Sequence, residues 1–389
     1  MSDDAAGSAT AERGLKGSAP EVASFEEDRR GPIWHLQAFL HQYPTSIPLI
    51  VLVIGVLIFT LAAPGKFLSP LNISVVLQQV TIVAILGMAQ TLVILTAGID
   101  LSVGLIMILC HVIMGRTAVV YAPLITQWIQ ATTGISIDPF VIVLLSFPLG
   151  LLVGLACGTL NGVLVTALRL PPFIVTLGTW SIFGALNTFY SNSETIRSQD
   201  IEATASYLLW MGRLFRLYDI GLFFGLDLSW LRGWVITYGS VLMIVIAVIL
   251  SYILGRTAFG RHVYATGDDP DAARLSGINT NRVLLAVYML AGLICAIAAW
   301  VLMGRIGGVS PQAGQTANLD SITAVVIGGT SLFGGRGSII GTLFGALIVG
   351  VFRNGLALSG LALLWQDFAV GVLIIVAVTI DQWIRKISA

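Results

Sequence analysis

The chain has 389 residues, of which 56% are hydrophobic and only 10% charged, and its mean hydropathy is +0.92. A typical soluble domain is about 25% charged, so this composition excludes a soluble globular enzyme and a disordered chain. Twenty Lys and Arg cancel twenty Asp and Glu, so no basic excess points to nucleic acid, and the 42 Gly follow no Gly-X-Y period, which excludes a collagen-like fibre. What remains is an all-α polytopic membrane protein.

Residues 1–30 are polar, with Asp3, Asp4, Glu12, Glu26, Glu27 and Asp28, and show no short apolar run before a small-residue cleavage site. They read as a cytoplasmic tail without a cleaved signal peptide. Ile33, Trp34, Leu36, Phe39, Leu40 and Tyr43 then fall on one face of a short helix. It either lies in the membrane interface or leads into the first span. Residues 1–45 are thus set apart from a transmembrane domain at 46–389.

A span needs about 20 apolar residues. About ten are expected: 47–63, 73–96, 102–121, 139–166, 172–191, 235–254, 284–304, 319–333, 338–357 and 364–384. The eighth is short, and Gly334-Gly335-Arg336-Gly337 separates it from the ninth, which suits a broken or re-entrant segment. The fourth is long enough to tilt. With the N-terminus inside, twelve Lys and Arg lie on the inner side and eight on the outer, four of the eight in the long loop 192–234. That bias puts both termini in the cytoplasm and loop 192–234 outside. Trp210, Phe215, Phe223, Phe224, Trp230 and Trp234 of this loop suit either the membrane interface or a landing surface for an external partner.

Gly158-Thr159-Leu160-Asn161-Gly162 in the fourth span echoes Gly341-Thr342-Leu343-Phe344-Gly345 in the ninth. The two spans run in opposite directions, as in an inverted 5+5 repeat. Small-residue helix packing accounts for the same pattern.

Chemistry-bearing groups are sparse. None of the three lysines, Lys16, Lys66 and Lys386, stands in a GxxxxGK[ST] loop, so the chain is expected to have no ATPase site of its own. Cys110, Cys157 and Cys295 lie in apolar stretches and read as packing residues. No Cys/His spacing suggests a metal site. The carboxylates fall in tails, loops or span ends, and His111 stands alone in the third span. Buried ion pairs are therefore not expected, which counts against a proton-driven carrier, and less against sodium coupling through backbone carbonyls.

Asp100 and Ser102, in TAGIDLSVG at 96–104, are expected to cap the third span, with Asp320 and Asp367 doing the same for the eighth and tenth. Pro171-Pro172 opens the fifth span without losing a ladder bond. Asn161, Thr176, Thr179 and Asn187 place polar atoms in the fourth and fifth spans. They serve either as interhelical hydrogen bonds or as a weakly polar wall along a translocation path for a hydroxylated solute.

Loop 256–283, on the inner side, is the most informative segment. After Asp268, Asp269 is a good N-cap, Pro270 a good first position, Asp271 suits the helix dipole and Gly277 a helix stop. The spacing predicts a short helix through Ala272 and Ala273 that presents Arg274 and Leu275. Such a rigid knob suits docking to a cytoplasmic partner; an interfacial connector is the alternative.

These residues carry a resemblance. The stretch ending TAGIDLSVG at 96–104, LPPFIVTLGT at 170–179, GRHVYATGDDPDAARLSGI at 260–278 and ITAVVIGGTSLFGGRGSIIGTLFGALIVG at 322–350 resemble the permease subunits of bacterial monosaccharide importers of the ATP-binding-cassette class. The ribose, xylose and fructose permeases are the relatives, and TIRSQDIEA at 195–203 with DQWIRK at 381–386 is most similar to the fructose permeases. The resemblance implies a fold similar to type II importers, with two permeases side by side in the bacterial inner membrane. It implies that segment 268–278 is the coupling helix of an ATPase subunit, which uses ATP and Mg, and that a periplasmic sugar-binding protein docks outside. The chain itself then needs no cofactor. The rival reading is a secondary sugar carrier driven by an ion gradient.

Overall fold

The computed structural model describes residues 46–219, 225–227, 229–231 and 233–388, which belong to one compact unit. The expected tail and interfacial helix, together with Phe223 and Phe224, lie outside the described residues. The helices in chain order are α1 Ser46–Ala62, α2 Pro70–Leu95, α3 Val103–Arg116, α4 Ala122–Thr133, α5 Pro139–Leu144, α6 Ser146–Thr166 and α7 Pro172–Ser191. After them come α8 Ser198–Ala205, α9 Tyr238–Arg256, α10 Ala258–Asp268, α11 Pro270–Leu275, α12 Thr280–Ile306, α13 Ala317–Ile327, α14 Ile339–Leu358 and α15 Leu363–Ser388.

Seven helical stretches among the described residues are long and apolar enough to cross a membrane: Pro70–Leu95, Val103–Thr133, Pro139–Thr166, Pro172–Ser191, Tyr238–Arg256, Thr280–Ile306 and Ile339–Leu358. Three shorter apolar helices, Pro48–Ala62, Ala317–Ile327 and Leu363–Val372, fall on the first, eighth and tenth expected spans. The polytopic all-α architecture thus follows the apolar runs.

The third and eighth spans depart from their expected bounds. The third span does not stop at 121, because a π-helical turn over Thr117–Tyr121 carries α3 into α4. Pro123, which lacks a ladder donor, falls in the first turn of α4 and is tolerated there. Gly134, with φ 74°, ends the helix. The eighth span is shorter still than expected: α13 has 11 residues, about 16 Å of helix, against a hydrocarbon core of about 30 Å. The chain turns out of it at Gly328 and Gly329, the latter with φ 83°.

Helix α12 lies at the centre, against α6, α2 and α3. Its seam with α6 is a backbone contact. A Cβ on Gly158 would stand 2.2 Å from the Tyr288 carbonyl oxygen, so only Gly permits this approach. The matching Gly341 and Gly345 of the second Gly-Thr-Leu motif meet Gly328 and Ala324 of the α13 end in the same way. Both motifs are therefore helix-contact faces. Helix α3 is buried along most of its length, including Cys110, while α6 and α7 leave Leu152, Leu160, Phe173, Ile174 and Trp180 open. Cys157 and Cys295 are buried and free like Cys110, as packing residues should be.

The described part of loop 192–237 contains α8, a 3-10 turn at Ser206–Gly212 and an antiparallel pair of β1 Leu214–Arg216 with β2 Val235–Thr237, with Phe215 opposite Ile236. Strand β2 takes the residues expected to begin the sixth span, so α9 starts at Tyr238. Trp210 and Phe215 stack on Tyr238, with ring centroids 5.2 and 5.0 Å away. Arg116 anchors this loop, donating to the Ser191 carbonyl at 2.8 Å and pairing with Glu194 at 3.3 Å.

Candidate functional site

Two regions collect the polar residues. The first is the buried turn between α2 and α3. Residues 96–102 fold back along α2, so Asp100 lies beside Gln90 rather than at the end of the bundle. With its amide oriented to satisfy both atoms, Gln90 donates to the Asp100 carbonyl at 3.0 Å and accepts from its N–H at 3.1 Å. The Asp100 carboxylate accepts the Ser102 N–H at 2.7 Å and the Ser102 hydroxyl at 2.6 Å. Asn161 of α6 donates to that hydroxyl oxygen at 2.8 Å. Thr176 of α7 donates to the Ile99 carbonyl at 3.0 Å, and Asn318 of α13 to that of Leu101 at 3.4 Å.

This geometry corrects the capping roles. Ser102 does occupy the N-cap position of α3, but its hydroxyl makes no cap bond to the helix. It donates instead to the Asp100 carboxyl, the acceptor that the turn places 2.6 Å away. Asp100 in turn satisfies only the N–H of the cap residue itself. Asp320 is not the cap of α13, since Thr316 stands at that position. Its carboxylate accepts from Arg353 of α14 at 2.8 Å, and the same guanidinium reaches Asp367 of α15 at 2.9 Å. A partly buried Asp320–Arg353–Asp367 triad therefore exists where no buried ion pair was expected.

The four polar residues of the fourth and fifth spans are buried within the subunit. Asn161 and Thr176 join the turn just described, and Asn187 donates to the Pro311 carbonyl at 3.0 Å. Thr179 has only a long contact, 3.4 Å, to the Thr176 carbonyl in its own helix. Three of the four bond to non-helical segments, the 96–102 turn and the 307–316 loop, and none faces open space in this conformation. His111 likewise serves the core, accepting the Ser310 N–H at 3.3 Å.

The second region is loop 256–283, which folds as two helices. Thr257 caps α10, accepting from the Gly260 N–H, and the Asp269 carboxylate caps α11, accepting from Asp271 and Ala272 at 2.9 and 3.0 Å. Pro270 opens α11, Ala273 is its buried inner residue, and Gly277 follows with φ 86°. Leu275 is 91% exposed, although large and apolar. Arg274 is less free than expected. It donates through Nε to Thr280 at 3.0 Å and pairs with Asp271 at 3.2 Å, tying α11 to the first turn of α12.

Helix α10 was not foreseen; Thr257 three residues before Gly260 was the available cap signal. Its far end is clamped. A Cβ on Gly267 would stand 1.7 Å from the Leu95 carbonyl oxygen, and one on Gly335 2.9 Å from the Asp268 Cα. The Tyr264 hydroxyl donates to the Gly337 carbonyl at 2.9 Å. Burial pushes the Tyr264 phenol above its usual range, so it remains a donor. The Gly-rich loop 328–338 is thus a structural partner of loop 256–283, a link that separation in sequence conceals.

Comparison with known proteins gives this arrangement a family. Residues 72–378 match the family described as the permease component of branched-chain amino acid transport systems. The chain belongs to this family. Among curated proteins the permease is similar to the fructose import permease protein FrcC of Rhizobium meliloti, 52% identical over 97% of this chain and 96% of that one. It is also similar to the ribose import permease protein RbsC of Bacillus subtilis, 36% identical over 88% and 93% of the two chains. The xylose transport system permease protein XylH of Haemophilus influenzae is 32% identical over 87% of this permease and 96% of its own length. No solved structure matches the permease significantly.

Proposed function

We propose that this chain is the transmembrane permease subunit of an ATP-driven importer that carries a monosaccharide, fructose first, across the bacterial inner membrane. The single observation that carries the coupling reading is α11: a helix with its own carboxylate cap that holds Leu275 almost fully in solvent. A connector between two spans needs neither. An apolar side chain held out by a rigid helix suits a groove on another protein. The sugar class rests on the relatives named fructose, ribose and xylose permeases.

In this reading both termini and the 256–283 end face the cytoplasm, where an ATPase subunit using ATP and Mg seats α11. The chain carries no P-loop of its own, since none of its lysines stands in such a motif, and hydrolysis falls to the ATPase subunit. A sugar-binding protein delivers its cargo at the 192–237 end. Two copies stand side by side in the lipid around one path, using the open faces of α6 and α7. Nucleotide-driven closure of the ATPases pushes on α11, and the two halves rock between inward-open and outward-open states. In the outward-open state Asn161, Thr176, Thr179 and Asn187 become the polar lining.

Co-purification with the ATPase and the binding protein tests this, followed by ATP hydrolysis screened against fructose, ribose, xylose and mannose. Hydrolysis stimulated by sugar-loaded binding protein, most by fructose, is the expected result. Sugar accumulation by vesicles holding this chain alone under an ion gradient would establish a secondary carrier instead.

A further inference from the structure

We propose that the Gly-rich turn 331–337 is a second docking prong for the ATPase subunit, with Phe333 as its apolar tip next to the start of α11. The inference rests on the coupling reading above and adds a second contact to it.

Phe333 is 73% exposed. The turn that presents it is closed on itself. Ser331 donates its N–H to the Arg336 carbonyl at 2.8 Å, Gly334 donates to the Ser331 carbonyl at 3.1 Å, and the Phe333 N–H bonds the Ser331 hydroxyl at 3.2 Å. Gly334, Gly335 and Gly337 have φ of 85°, 68° and 154°, a backbone that side chains other than Gly seldom allow.

The closed turn is then fixed to the α10–α11 unit. The Gly335 N–H donates to the Leu95 carbonyl at 3.0 Å, Gly335 abuts Asp268, and Tyr264 holds Gly337. Asp268 immediately precedes the Asp269 cap of α11, so the turn and α11 form one continuous surface. That surface carries Asp268, Asp269, Asp271, Arg274 and the exposed Arg336. Such a density of charge belongs to the water side of the headgroups, where no hydrocarbon is at hand to cover an aromatic ring. A large apolar group held there by a braced turn has little freedom left to lose on docking. Aromatic anchors of this kind dominate protein interfaces. Continuity with α11 selects the ATPase as the occupant.

The test uses the full complex of permease, ATPase and binding protein in lipid vesicles, with photoreactive benzoylphenylalanine placed at 333 or at 275. Cross-links from both positions to the ATPase subunit are expected. A cross-link from 275 to the ATPase, with 333 reaching only lipid or a second permease copy, would overturn the prong and leave the coupling reading standing. Silence towards the ATPase at both positions would overturn both. In the same vesicles Phe333→Ser should weaken ATPase association about tenfold, with Phe333→Leu largely retaining it. Unchanged association in Phe333→Ser would refute the proposal as well.

Discussion

Asp100 sits fully buried beside Gln90, and Ser102 offsets the burial of its carboxyl by supplying two donors to it. Removing it leaves the Ser102 N–H and hydroxyl without their acceptor. Asp100→Ala should therefore cost about 1–2 kcal/mol of stability, and Asn161→Ala about half that. Cys110, Cys157 and Cys295 are buried, so a thiol-reactive dye added to the detergent-solubilised protein reads the loss as a lower unfolding temperature. A loss in Asn161→Ala exceeding that in Asp100→Ala would reverse the roles assigned here. At this scale the sequence was readable in part. The spacing of Asp100 and Ser102 announced a polar pair at a helix start. Which group donates to which depends on Asn161, 59 residues away, and no local pattern carries that.

Among the elements, the α6–α12 seam leaves no room for a side chain at Gly158. Gly158→Val would drive a branched side chain into the Tyr288 carbonyl and should destabilise by about 1–3 kcal/mol, seen as a fall in unfolding temperature and in yield of inserted protein. The Asp320–Arg353–Asp367 triad joins α13, α14 and α15. Arg353→Ala strands two carboxylates and should cost about 1–3 kcal/mol, discounted because Arg353 and Asp367 are partly solvated. Combining it with Asp320→Asn should recover part of that loss in a double-mutant cycle. Strict additivity of the two single effects would show that the pair does not interact. Spans were legible because runs of about 20 apolar residues have few other uses. The triad was not, since its members are 33 and 14 residues apart. The π turn was not legible, since nothing in the residues 117–121 marks the extra residue per turn.

For the molecule as a whole, the proposed coupling requires that force on α11 reach the bundle intact. Leu275→Asp alone is the cleanest probe, because Arg274 also ties α11 to Thr280. It should reduce sugar uptake at least tenfold while the protein inserts normally, with ATP hydrolysis no longer responsive to loaded binding protein. Uptake at the unmodified rate would rule out the docking role. Asp269→Ala should fray α11 by about 1 kcal/mol and give a milder loss in the same assay. The short helix after Asp269 was legible from Asp-Pro-Asp and Gly277, because capping chemistry is local. Its brace by the turn at 334–337 was not, because that contact is made by glycines lacking any side chain to announce it.

The continuous helix Val103–Thr133 has 31 residues and so extends about 45 Å, some 15 Å beyond the hydrocarbon thickness of an average bilayer. Either it leans, or its Trp128 end stands clear of the acyl chains. Because α3 is clasped on all sides by its neighbours, leaning would have to involve the whole bundle. If it leans, the acyl length of the surrounding phospholipid becomes a lever on the working tilt of the bundle.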